Sequence, residues 1–244
     1  MKKLVPSSFG LVLLTALSGS AVAADLSLRP PVHTKAPTMA PSYNWTGLYY
    51  GINGGGGWGA SHFDFPSLGT TTGDFSTSGG LVGGTIGFNW QNSNLVFGVE
   101  GDGDWANIKG SAACPIATFT CATSESWLAT ARARVGMTAN NWLLYITGGG
   151  AFGDVQTRVT GPVTFAGQSV NRAGWTVGGG TEYGFAPGWS LKAEYLHVDF
   201  GTSGCAISNC SAFSIANVPL RTEIVRAGLN YRFNNWSGPV LGTY

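Results

Sequence analysis

From Asn44 onward the chain alternates apolar and polar positions at period two, the pattern of a strand with one wet and one apolar face. Eight segments carry it: 44–60, 77–91, 94–108, 124–138, 141–157, 170–186, 189–201 and 221–233. The gaps alternate in length. They are long at 61–76, 109–123, 158–169 and 202–220, and short at 91–94, 139–141 and 186–188. Long and short connections therefore fall on opposite rims of the sheet. An even number of antiparallel strands with short turns on one rim and long loops on the other predicts a closed transmembrane β-barrel, all-β and eight-stranded, of the outer-membrane type. Both termini then lie on the periplasmic side.

The faces can be assigned residue by residue. In the last segment Val225, Ala227, Leu229, Tyr231 and Phe233 share one face, and Arg226, Gly228, Asn230 and Arg232 the other. In the fourth, Trp127, Ala129, Ala131, Ala133 and Val135 oppose Thr130, Arg132 and Arg134. Apolar residues recur on every strand with aromatics near the ends, as a lipid-facing band between two interfacial girdles requires. The alternative is a secreted sandwich or lipocalin-like barrel, whose apolar face would line a core. Charged residues make up only 10% of the chain, against roughly 25% in soluble domains, which argues for lipid.

The N-terminus sets the compartment. Lys2 and Lys3 precede an apolar stretch from Phe9 to Leu17, then Ala21-Val22-Ala23, the marks of a secretory signal peptide over residues 1–23. Residues 24–43 hold Pro30, Pro31, Pro37 and Pro41 and read as an extended periplasmic leader. Residues 44–233 form the barrel and 234–244 a tail. The expected location is the outer membrane of a Gram-negative bacterium. Loss of Lys2 and Lys3 takes the basic residues from 13 to 11 against 12 acidic ones, a net of −1, so nucleic acid is not an expected partner. In an oxidising compartment the close pairs Cys114/Cys121 and Cys205/Cys210 are expected to form two loop disulfides. Their spacing and the lack of a neighbouring His speak against zinc.

With the polar face inward, Glu100, Asp102 and Asp104 stand beside Arg132 and Arg134, and Glu182, Lys192 and Glu194 near Arg226 and Arg232. Five acids and five bases in a lumen predict a paired network, since unpaired buried charge is costly. An eight-stranded barrel is just wide enough for its own side chains, so a plug is expected before a narrow selective channel. No catalytic residue, metal or cofactor is assigned. The histidines are His33, His62 and His197; His197, Asp199 and Ser203 form the one His/Asp/Ser grouping near the outside rim, and the plainer place for His197 is the interfacial girdle beside Tyr195. The Gly54–Gly57 run lacks a phosphate-loop Lys and is expected to let the wall curve around larger inward side chains.

Three stretches carry a resemblance: Asn44-Trp45-Thr46-Gly47-Leu48-Tyr49-Tyr50-Gly51, Ala193-Glu194-Tyr195-Leu196-His197-Val198-Asp199, and Val225-Arg226-Ala227-Gly228-Leu229-Asn230-Tyr231-Arg232-Phe233. Together they resemble the small, opacity-porin-like outer-membrane barrels of α-proteobacteria, which include the outer-membrane immunogenic proteins and some hemin-binding members. The resemblance implies a structural, surface-exposed barrel without enzymatic activity, with membrane lipid and the outer-membrane assembly machinery as partners. It implies Phe233 as the terminal aromatic that the machinery reads, and it raises hemin as a ligand, with His62 and Tyr49 as conceivable iron ligands.

Overall fold

The computed structural model describes residues 43–65, 68–115, 118–162, 165–205 and 215–233. The signal peptide, nearly all of the leader, the tail 234–244 and Cys210 with its loop lie outside them. Eight long antiparallel strands form one ring: β1 (Gly47–Ser61), β4 (Phe75–Asn92), β5 (Leu95–Ala113), β6 (Thr120–Ala139), β7 (Trp142–Thr160), β8 (Phe165–Ala186), β9 (Trp189–Cys205) and β10 (Ile215–Arg232). Each pairs with its chain neighbour, and β1 closes the ring on β10 from Tyr49↔Arg232 to Ala60↔Arg221. Two short strands in the first long connection, β2 (Asp64–Phe65) and β3 (Thr70–Thr71), form a small hairpin that meets β10 at Ala216↔Asp64.

The short connections are tight turns at Ser93-Asn94, Asn140-Asn141 and Pro187-Gly188, with Ser93, Asn140 and Gly188 at positive φ. Left-handed turn residues match the right-handed twist of the strands they join. At the opposite rim the strands run several residues further than the alternation predicts, and the connection 61–76, expected as plain loop, contains β2 and β3. The reason is physical. Beyond the membrane the outward face of a strand meets water instead of lipid, so Lys109-Gly110-Ser111 and Ala122-Thr123-Ser124 pair as strand without a lipid-facing apolar half to mark them.

Exposed aromatics form two belts. Trp90, Trp142, Tyr183 and Trp189, with the half-buried Tyr231, circle the short-turn end, and Trp58, Trp105, Trp127, Phe152 and Trp175 the other. Trp142 and Phe152 are ten residues apart on β7, about 33 Å along the strand at 3.3 Å per residue and about 25 Å along the axis at the usual tilt. That matches an outer-membrane apolar band of roughly 25 Å. Among the described residues there is no helix long and apolar enough to cross a membrane; the strands cross it. The Gly54–Gly57 run serves close approach. A Cβ on Gly55 would lie 2.1 Å from the Val225 carbonyl oxygen and 2.6 Å from the Arg226 Cα, and one on Gly57 would lie 2.6 Å from Ile108 Cδ1.

Candidate functional site

The lumen is filled in layers, each made by inward positions of neighbouring strands. At the short-turn end, Tyr43 and Trp45 precede β1 and turn into the mouth, with Trp45 completely buried among Val96, Leu143 and Tyr145. The Trp45 amide donates to Gln91 Oε1 (2.8 Å), and the Gln91 amide to Thr46 Oγ1 (3.1 Å). The Arg232 guanidinium carbon lies 4.8 Å from the Trp45 ring centre and 5.5 Å from those of Tyr43 and Tyr49, in cation–π range. Burial raises the Tyr43 phenol above its ordinary range, with Arg232 opposing.

Above this aromatic collar sits the ionic layer. The structure brings together all ten charged residues expected in the lumen, and all are buried. Arg226 Nη1 contacts Asp102 Oδ1 (2.6 Å) and Asp104 Oδ2 (2.8 Å), while its Nη2 contacts Glu194 Oε2 (2.7 Å). Arg132 binds Glu100, Asp102 (2.8 Å) and Glu194 (3.0 Å). Arg134 lies 3.3 Å from Glu182 and 3.4 Å from Glu100, Lys192 lies 3.0 Å from Glu100, and Arg232 lies 3.6 Å from Glu182. Neutral side chains complete it: the Tyr49 hydroxyl donates to Glu100 (2.7 Å), Tyr145 to Glu194 (3.0 Å), Thr130 to Asp102 (2.6 Å) and the Asn230 amide to Glu182 (3.0 Å). Five acids matched by five bases leave the layer formally neutral, as a water-poor interior demands.

Toward the outside rim the lumen changes character. Leu81, Leu128, Ala151, Val155, Leu196, Val198, Phe200, Leu220 and Ile224 pack into one buried aliphatic layer. Here the expectation that apolar faces point to lipid fails, because Leu196, Val198 and Phe200 share the inward face of β9 with Lys192 and Glu194. At the outer mouth Phe63 and Phe65 pack on Cys114 and Cys121, which form a disulfide. Cys210 and the side chain of Cys205 lie outside the described residues, and with them the expected second disulfide.

The remaining candidates separate. His62 stands at the outer end of β1, 3.1 Å from Asp74 and 3.9 Å from Asp64, whereas Tyr49 is buried in the ionic layer. Thirteen residues of strand, roughly 40 Å, keep these two from sharing one iron. His197 faces outward with Tyr195, but its Nδ1 pairs with Glu223 Oε1 (2.6 Å) and not with Asp199, which binds Arg221 (3.2 Å); the side chain of Ser203 lies outside the described residues. Phe233 is half-exposed, and its ring lies 5.3 Å from each of Tyr50 and Tyr231. Among the described residues no group of three or more His, Cys, Asp and Glu side chains could hold a metal ion. The sequence reading did not find Tyr43 and Trp45 as a stopper, nor Tyr49, Tyr145, Thr130 and Asn230 as network members. For the last four, inward parity beside a charge was the available signal.

Comparison with known proteins places this architecture. Residues 9–233 match the family of the outer membrane protein beta-barrel domain. The 31 kDa outer-membrane immunogenic protein of Brucella melitensis is 35% identical over 96% of this chain and 100% of its own length. The 25 kDa outer-membrane immunogenic protein of Brucella canis is 28% identical over 90% of this chain and 94% of its own. A 22 kDa outer membrane protein of Rhizobium leguminosarum is 29% identical over 66% and 67%. Among solved structures, Neisserial surface protein A overlays with a TM-score of 0.41 at 17% identity, covering 77% of this chain and 98% of that one. The protein is a member of the outer membrane protein beta-barrel family, located in the outer membrane of a Gram-negative bacterium and related to the Brucella outer-membrane immunogenic proteins.

Proposed function

We propose that this protein is a structural, non-enzymatic barrel that stays shut, braces the envelope and presents its outer strand ends and loops as a surface antigen. The filling of the lumen by successive aromatic, ionic, aliphatic and disulfide-linked layers carries this reading. An eight-stranded ring has little width to spare, and an ion on the axis would have to displace paired charges and then cross a layer lined by Leu128, Leu196 and Ile224. The description of the Brucella relatives as immunogenic supports the surface role. Assembly through Phe233 as the terminal aromatic belongs to the same proposal. Single-channel recording of the refolded mature chain in a planar lipid bilayer tests it. A silent bilayer, with folding verified in parallel, is the expected outcome; stable and reproducible conductance would overturn the shut lumen and make the protein a small channel.

A further inference from the structure

The lipid-facing wall is not uniform. Across β6–β10, with Leu95 of β5 at its edge, it carries a groove of about 850 Å³ whose surface is almost entirely apolar. Register explains its shape. Ile146 pairs with Gly179, and Gly179 with Tyr195; in the next row toward the periplasm, Leu144 pairs with Thr181, and Thr181 with Ala193. Gly179, Thr181 and Ala193 thus make a low floor between bulky neighbours, with Ile146 on one side and Tyr195 with Val225 on the other.

At the outer end of this groove the same face turns polar. The Tyr195 hydroxyl donates to Glu223, whose other oxygen lies 2.6 Å from His197 Nδ1. One row further out, Arg221 Nε donates to Asp199 (3.2 Å), and the Arg221 side chain is 68% exposed. The cluster interrupts the outer aromatic belt. Trp58 is the β1 partner of Glu223, and Trp175 is the β8 partner of Asp199, with its ring 5.3 Å from that of His197. Hydrocarbon is a poor solvent for such groups, and a belt of Trp and Tyr marks the depth of the headgroups. A surface that is concave and apolar below, and above sets the exposed end of Arg221 beside the carboxylates of Asp199 and Glu223, fits one molecule standing upright in the outer leaflet with a phosphate toward Arg221 and hydroxyls toward the carboxylates.

We infer that this face is a binding site for a phosphorylated glycolipid of the outer leaflet. An acyl chain lies over Ala193 in the groove, a phosphate meets Arg221, and sugar hydroxyls meet Glu223 and His197. Hydrogen-bonding groups spread over two strands, about 5 Å apart, suit a sugar ring better than the compact headgroup of a phospholipid. Arginine suits phosphate because its planar fork can donate two bonds at once.

The test is native mass spectrometry of the full mature barrel in detergent, titrated separately with purified lipid A and with phosphatidylethanolamine. Saturable retention of one lipid A is expected, weakened about tenfold by Ala193→Phe, which fills the floor, and by Arg221→Ala or Glu223→Gln, which strip the headgroup contacts. Val82→Phe, on the lipid-facing wall away from the groove, is the control and should bind as the parent does. Each variant is read only in the fraction that keeps the heat-dependent gel shift of a closed barrel, and Thr181→Leu fills the same floor if Ala193→Phe does not fold. The inference is overturned if the parent retains no lipid A, if phosphatidylethanolamine is held equally well, or if groove-filling variants bind like the parent. It is overturned too if those variants abolish a dimer instead, which would make a second copy of the chain the occupant.

Discussion

Arg226 holds three carboxylates, Asp102, Asp104 and Glu194, from a fully buried position on β10. Its removal takes from Asp104 its ion partner and leaves Asp102 and Glu194 to share Arg132. Breaking a buried ionic cluster from one side costs about 3–5 kcal/mol, so Arg226→Met should lower the unfolding free energy by that order in urea titrations from lipid vesicles. Arg226→Lys should fall between the two, since an ammonium keeps the charge without the planar fork that reaches three partners. Asp154 is a second site of concentrated bonding. Its Oδ1 accepts from the Ser126 amide (3.0 Å), the Ser126 hydroxyl (2.7 Å) and the Trp127 amide (3.3 Å) where β6 bulges against β7. Asp154→Ala leaves these donors without their acceptor, and a loss of about 1–3 kcal/mol is expected in the same assay.

The eight long strands are legible as elements because lipid and lumen impose opposite solvents on alternate residues, and a period of two survives any detail of packing. Which face meets lipid is a different matter. Polarity gives the right answer at Lys192 and Glu194 and the wrong one at Leu196, Val198 and Phe200, since inward positions are filled by ionic pairing in one layer and by apolar packing in the next, and both exclude water. The pairing of His197 with Glu223 was illegible for a related reason: it joins residues 26 apart through a register that no local pattern fixes. The Tyr43 and Trp45 stopper depends on a fold-back into the mouth, whereas in sequence Tyr43 reads as the end of a proline-rich leader and Trp45 as part of the first strand, which begins only at Gly47. Trp45→Ala should remove a filled site and cost about 3–5 kcal/mol. The Cys114–Cys121 disulfide clips only the outer end of β5 to β6, so reduction should speed proteolysis between residues 114 and 121 while leaving the heat-dependent gel shift unchanged.

At the scale of the molecule, two aromatic belts about 25 Å apart set how deep the barrel sits, and the outside ends of the strands continue past the upper belt. From Trp105 to Ala113, β5 rises about 20 Å beyond the belt at the usual rise and tilt, still paired with β6. The outer strand ends therefore form a paired collar above the lipid. An antibody that binds this collar meets side chains brought together from several strands rather than one continuous peptide. Sera raised against the folded barrel should consequently recognise discontinuous epitopes: boiling in detergent should abolish most of their binding, and linear peptides copied from the loops should compete poorly for it.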